Sequence, residues 1–351
     1  MRLILYLSLL YSLIDNFCME NNYLISVIIP VHNTAGYLRK CVESVRNQSL
    51  KSIEIILVEN LSSDNSAEIC DEYVRLDKRI RVLHLQEAGL SIARNAGLKI
   101  ASAPYVGFID SDDFVEPTMF QEMLDALVNY EADFVYCNYV FDYEGKESIY
   151  PFRDSGLVEI YPLRDFLRDM MWEKISCSFC TKLFRKDFFD THEFPVGRLY
   201  EDRLVMHEWV LACNRIVWLD KSFYHYVERF DSICHTIVPI NRYHFFLSQY
   251  ERLEFINQHS LFEGKELYDV RTMIIRICLS IFKEIMLRVK PSDFREPFED
   301  MRQKFKKILS LKEGEIDVRC RKRMKGIVYN WPIYNLIHFA FKRKKYSLII
   351  L

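Results

Sequence analysis

No glycine-rich phosphate loop is present in this chain. Its first apolar run, residues 24–30 (LISVIIP), leads into Val31-His32-Asn33 with no G-x-G-x-x-G behind it, and no Walker G-x-x-x-x-G-K-[ST] occurs. These absences exclude a dinucleotide-binding Rossmann domain and a P-loop nucleotidase. A phosphate ligand then needs its charge neutralised in another way, and a metal held by carboxylates is the usual alternative. A basic excess is missing too. With 47 Lys and Arg against 49 Asp and Glu, the net charge of −2 argues against a general nucleic-acid binder. Zinc spacing is also absent: Cys177-Ser178-Phe179-Cys180 is the only C-x-x-C among ten cysteines, and no second pair or histidine pair follows closely. Cys41, Cys70, Cys137, Cys213 and Cys278 lie singly in apolar or helix-like runs, the pattern of reduced, buried thiols in a cytosolic chain.

A comfortable membrane span is lacking as well. Residues 1–14 (MRLILYLSLLYSLI) are apolar but too few to cross a bilayer. The following Asp15-Asn16-Phe17-Cys18 offers no small-residue cleavage site for a signal peptide. The reading that fits is a translation start at Met19, with residues 1–22 as an extension outside the folded part.

What is present is alternation. Residues 24–30, 53–58, 80–83, 105–109 and 134–139 read as short strands. Between them, residues 37–47, 63–76, 90–100 and 117–130 carry the 3.6-residue period of amphipathic helices. Repeated β-α-β units predict an α/β fold, a mostly parallel Rossmann-like sheet flanked by helices. Past residue 150 the alternation loosens to a helix at 201–213 and short strands at 216–219 and 223–227. From 242 the pattern is helical, giving expected domains at 23–235 and 236–351. The end mixes Arg319, Arg321, Lys322, Arg323, Lys325 and a later Lys342–Lys345 run with aromatic residues. That composition suits the surface of an anionic membrane, and equally a solvated helix packing its aromatics on the body.

In such sheets, ligands bind beyond the carboxyl ends of the strands. Pro30 to Asn33, Glu59-Asn60 and Asp110-Ser111-Asp112-Asp113 each follow a strand, so three polar clusters are expected on one rim. Three carboxylates together call for a cation or a hydrogen-bonded loop, and a divalent ion bridging carboxylate and diphosphate meets that need. Glu201-Asp202, read alone, is the acidic first turn of a helix, and Arg94 is a surface helix arginine. His207, His225 and His235 are third-ligand candidates, each better explained by packing or hydrogen bonding.

Taken in order, LISVIIPVHN, IEIILVEN, GLSIARNAGL and VGFIDSDDFVEP resemble the family 2 glycosyltransferases of GT-A fold. The later LYEDRLVMHEW and FYHYVERFDSI resemble that family's downstream motifs, especially in bacterial enzymes that build surface polysaccharides. The resemblance implies an inverting transfer of a hexose or N-acetylhexosamine from a nucleotide-diphosphate donor, a UDP-sugar foremost, to a saccharide or lipid-linked saccharide. It implies Mn²⁺ or Mg²⁺ on Asp112, with Asp110 on the metal or the donor ribose. His32 takes the place of an aromatic ring packed on the donor base, Arg94 and Arg229 lie near the donor phosphates, and Asp202 is the catalytic base. From the cysteines and the composition of the tail, the expected location is cytoplasmic, with peripheral contact on the inner face of the membrane through the tail.

One departure stands out. Where the family reads V-D-D-G-S, this chain has Val58-Glu59-Asn60-Leu61-Ser62. Asn60 accepts a hydrogen bond from the donor base without the charge that strengthens it, and Leu61 replaces a glycine suited to positive φ. A second reading follows, a catalytically impaired sugar-nucleotide-binding homologue acting as a partner or regulatory module.

Overall fold

The computed structural model describes residues 23–143, 145–228, 238–289 and 291–330. The extension at 1–22, Arg229, His235 and the tail from 331 lie outside the described residues. The chain divides into two units. The first is built from Met1–Leu163, Ser178–Gly197 and Trp209–Arg229, the second from Arg164–Cys177, Arg198–Glu208 and Phe230–Leu351.

In the first unit, β1 (Ile25–Val31), β2 (Ile53–Glu59), β3 (Ile80–His84) and β4 (Tyr105–Phe108) lie in the order β3-β2-β1-β4, all parallel. Every residue of β1 and β2 is buried, as expected of a sheet covered on both faces. Helices α1 (Ala35–Arg46), α2 (Ser66–Leu76), α3 (Leu90–Ile100) and α4 (Met119–Asn129) follow from the expected periodicity. Helix α1 buries Leu38, Cys41, Val42 and Val45, one apolar stripe. Helix α3 approaches β1 so closely that a Cβ on Gly97 would stand 2.5 Å from Ile28 Cγ2.

Beyond β4 the sheet turns mixed. It continues through β8 (Lys182–Arg185), β6 (Phe134–Tyr143), β9 (Ile216–Glu228) and β5 (Phe114–Val115), with β7 (Val158–Tyr161) also on β9. The short strands β5, β7 and β8, all antiparallel to their partners, were not expected from the pattern. The two short strands expected at 216–219 and 223–227 are one thirteen-residue strand. The polar residues between them sit at an irregularity in its pairing with β6, between Cys137 and Tyr139. There the buried Asp220 accepts from Asn138 Nδ2 at 2.7 Å and Ser155 Oγ at 2.5 Å, so its polarity is satisfied inside the sheet.

The second unit is helical: α5 (Leu163–Met171), α6 (Glu201–Trp209), α7 (Pro239–Gln258), α8 (Gly264–Arg288), α9 (Arg295–Ile308) and α10 (Val318–Tyr329). Helix α6 stops four residues short of the expected helix end and passes into a 3₁₀ turn at Val210–Ala212. Among the described residues no helix is long and apolar enough to cross a membrane. The eight described cysteines are free thiols, all buried except the half-buried Cys177.

Candidate active site

The parallel register brings three strand ends side by side. Val31 pairs with Glu59, and Ile28 with Phe108, so the residues after β1, β2 and β4 leave the sheet at one edge. Hydrogen bonds then join the loops. Asn60 N–H donates to Val31 O at 2.9 Å, and Ile109 N–H to Ile28 O at 3.1 Å. Asn33, at φ 52°, donates its N–H to Ser62 Oγ at 3.1 Å and accepts from Ser63 N–H at 2.7 Å. Asp64 accepts from Ala35 N–H at 2.9 Å and Ser66 N–H at 3.0 Å, tying together the first turns of α1 and α2.

His32 is exposed, with Nδ1 2.7 Å from the Asn60 carbonyl. A carbonyl only accepts, so Nδ1 carries the proton and Nε2 is left to accept from Asn33 Nδ2 at 3.2 Å. Buried Pro30, the last residue but one of β1, needs no ladder partner for an N–H. Glu59 accepts from Ser62 N–H at 2.6 Å and lies 3.4 Å from His84 Nδ1. Burial alone would raise its pKa, but these partners prevail and lower it. Asn60 Oδ1 accepts from Gly89 N–H at 3.1 Å, so the amide oxygen expected to face a donor base already holds the loop before α3. Leu61 takes φ 54°, the left-handed conformation that a glycine would adopt more easily.

The acidic cluster after β4 divides its labour. Asp113 is buried, accepts from the Tyr224 hydroxyl and takes Val227 N–H at 2.8 Å. Burial, then the charges of Asp112 and Asp110, hold its pKa well above the usual carboxylate range. It fastens the loop to β9. Asp110 is 35 % exposed and pairs with Arg94 at 3.4 Å. Asp112 is half-buried on the same short turn.

Arg94 corrects the surface reading. It is 3 % exposed, and its guanidinium also lies 5.4 Å from the Phe194 ring centre. The neighbouring Asn95, which the sequence did not single out, clamps Phe194 by donating to its carbonyl at 2.8 Å and accepting its N–H at 2.9 Å. Tyr224 was likewise missed as an individual residue. Its signal was there: a tyrosine at the first strand of the downstream motif, opposite Val115 in β5.

Among the described residues no group of three or more His, Cys, Asp and Glu is arranged to hold a metal. This donor set does not fit an all-protein cage. One or two carboxylates at a strand edge do suit Mg²⁺ or Mn²⁺ that draws its other ligands from phosphate and water. His225 does not supply a third ligand, because Asp142 takes its Nδ1 at 2.6 Å, Glu116 its Nε2 at 2.8 Å, and Phe114 stacks on it at 4.2 Å. Trp209 packs, with Phe194 at 5.1 Å and Phe179 at 5.5 Å.

Asp202 belongs to the second unit, in the first turn of α6. Arg203 N–H donates to its Oδ1 at 2.7 Å, and the Cys177 thiol lies 3.6 Å from Oδ2. Cys177, Arg203 and His207 line a small cavity with Met170, Glu173, Ile175 and Arg252. Glu173 bridges both arginines, at 2.7 Å to Arg203 and 2.5 Å to Arg252. His207 is buried, packs on Phe255 at 4.6 Å, and burial pushes it down to about 3. It is held neutral.

A parallel sheet with an acidic turn at its edge, a mixed second half and a helical region define a glycosyltransferase of GT-A type. The family model described as Glycosyl transferase family 2 matches residues 26–192. Glycosyltransferase GlyG of Streptococcus pneumoniae serotype 4 is 35% identical over 222 residues, covering 61% of this chain and 73% of that protein. Putative glycosyltransferase EpsH of Bacillus subtilis is 33% identical over 219 residues, 60% of this chain and 62% of that one. Among solved structures, S. aureus TarS 1–349 in complex with UDP-GlcNAc aligns with TM-score 0.62 at 17% identity, covering 92% of each chain. The chain belongs to glycosyl transferase family 2.

Proposed function

We propose that this protein is an inverting glycosyltransferase moving a hexosyl or N-acetylhexosaminyl group from a UDP-sugar to a hydroxyl of a saccharide or lipid-linked saccharide in polysaccharide synthesis. The observation that carries the reading is the joining of three strand-end loops beside Asp110 and Asp112. Support for a uridine donor comes from TarS, whose structures hold UDP and UDP-GlcNAc. In this reading Pro30, His32, Asn33, Glu59 and Asn60 frame the nucleotide, and Arg94 orients Asp110 while adding positive charge. Arg229 contributes to the diphosphate. Asp112 and Asp110 would hold Mn²⁺ or Mg²⁺, which when bound would supply positive charge against the diphosphate. Asp202 takes the proton from the acceptor hydroxyl as it attacks the anomeric carbon. Residues 23–235 are the transferase domain and 236–351 a helical region, cytoplasmic and in peripheral contact with the membrane.

The deciding experiment is calorimetric binding of UDP-, GDP- and dTDP-sugars with and without manganese or magnesium. Metal-dependent binding of the UDP-sugar is expected, and no such binding to any of them ends the reading. Asp202→Asn is expected to keep donor binding and lose transfer by about 10³-fold, in line with removal of a general base. The strained Leu61 and the uncharged Asn60 favour a second reading, a donor-binding homologue with impaired turnover. Metal-dependent binding without transfer to any acceptor, in the unmodified protein, selects it.

A further inference from the structure

Helix α10 differs from the other helices of its unit in how its charges are spent. Arg168 pairs with Asp165 and Glu266, Arg242 with Glu284, Arg302 with Glu299, Lys304 with Asp300 and Lys307 with Glu254. Helix α10 reads VRCRKRMKGIVY, with five basic residues and no acidic one. Arg321 is turned inward, donating to the carbonyls of Leu309, Leu311 and Lys312. The remaining four, Arg319, Lys322, Arg323 and Lys325, are exposed and form no ion pair among the described residues.

Cys320, Met324 and Ile327 are buried at i, i+4, i+7 spacing, which fixes the inward stripe. Lys322 and Lys325 fall on the opposite sector together with Val318 and Tyr329, Arg319 stands beside them, and Arg323 flanks the buried stripe with its side chain exposed. Val318 is 76 % exposed and Tyr329 63 %. An unpaired cationic face with an aliphatic side chain at one end and a tyrosine at the other is the composition of an interfacial helix.

We propose that this face of α10 docks on an anionic lipid surface, the four cations meeting headgroup phosphates while Val318 and Tyr329 enter the interface. A purely electrostatic partner such as RNA would leave those two side chains in water. The chain also continues directly into residues 331–351, whose sequence WPIYNLIHFAFKRKKYSLIIL repeats the same mixture of aromatic and basic residues. The proposal deepens the membrane clause of the functional reading. It fails separately from the chemistry, because vesicle binding is measured without donor and donor binding without vesicles.

The test is flotation of the full chain with vesicles of phosphatidylcholine, alone and mixed with phosphatidylglycerol. Binding is expected to the mixed vesicles, to fall with added salt and to resist competing inorganic phosphate. The R319E/K322E/R323E/K325E protein is expected to bind about 10³-fold more weakly, roughly fivefold for each cation lost from near such a surface. Its thermal unfolding should match that of the parent, since all four side chains are exposed. Should it misfold, R319Q/K322Q/R323Q/K325Q serves in its place. Unchanged binding of the variant, equal binding to pure phosphatidylcholine, displacement by RNA or no binding of the parent chain each overturns the proposal.

Discussion

In the first unit the polar side chains at the strand ends are held mainly by backbone amides. In the second, the cavity beside Asp202 is held together by ion pairs between side chains, with a main-chain amide on Asp202 itself. Asn33, Glu59, Asn60, Asp64 and Asp113 each accept a main-chain N–H from a loop or strand fixed by the sheet. Around Asp202 the order comes from Glu173 bridging Arg203 and Arg252, beside a buried neutral imidazole. Amide-held carboxylates keep their geometry as long as the sheet stands. An ion-pair and imidazole arrangement depends on protonation. The two regions should therefore fail differently.

The largest expected effect is chemical. Asp112→Asn should lower kcat/KM by about 10³-fold, roughly 4 kcal/mol at the barrier, with unfolding unchanged. Steady-state transfer assays across a manganese titration check this, and full activity in the variant would remove Asp112 from the metal. A buried counterpart sharpens the contrast. Glu54, 1 % exposed near the start of β2, accepts from Ser26 Oγ at 2.5 Å, Ser102 N–H at 2.5 Å and Ala103 N–H at 3.3 Å. Glu54→Ala leaves those donors unpaired and should cost about 3 kcal/mol in urea unfolding. One carboxylate sits on the turn that follows a parallel strand and the other in a parallel strand. One is expected to matter for rate, the other for stability.

The first of these was legible in the sequence and the second was not. Asp110 to Asp113 follow an apolar strand, and the edge position of such a turn follows from β-α-β alternation alone. Glu54 sits in an apolar run, where nothing local announces that Ser26 and Ser102 will meet it. Arg94 was misjudged for a related reason. A helical arginine is ordinarily solvated, and its burial depends on Phe194, a hundred residues away. The division into units was harder still to read. Residues 164–177 and 198–208 join the second unit through long-range packing, while local pattern marks only their helices. Strand β9 reads as two short strands because the polar Asp220 interrupts its apolar run, and only the fold supplies Asn138 and Ser155 to satisfy it.

The second unit should be the acid-sensitive one. His207 is pushed down to about 3, so unfolding near neutral pH takes up a proton that the folded unit refuses. Stability from this group is fully present above the ordinary histidine range and is lost as pH falls from about 6.5 toward 3, at up to about 1.4 kcal/mol per pH unit. Urea unfolding at pH 7, 6 and 5, followed by Trp and far-ultraviolet signals, measures the slope. His207→Leu should flatten it, whereas an unchanged slope would assign the proton uptake elsewhere.

The smallest expected effect concerns the loop that departs from the family. Asn60→Asp restores the family's residue at a position 5 % exposed, where the side-chain oxygen already accepts from Gly89 N–H. A carboxylate keeps that bond and retains further lone pairs for a donor base, so nucleotide-sugar binding should tighten by about threefold to tenfold. The same substitution sets a second negative charge beside buried Glu59, which already carries one against His84. Folding stability should therefore fall by about 1 kcal/mol while affinity rises. Calorimetry and urea unfolding read the two terms independently. A loss of both would mean that the amide is the residue this loop requires, and that the chain has rebuilt its base-binding edge around Asn60 and Leu61 rather than lost it.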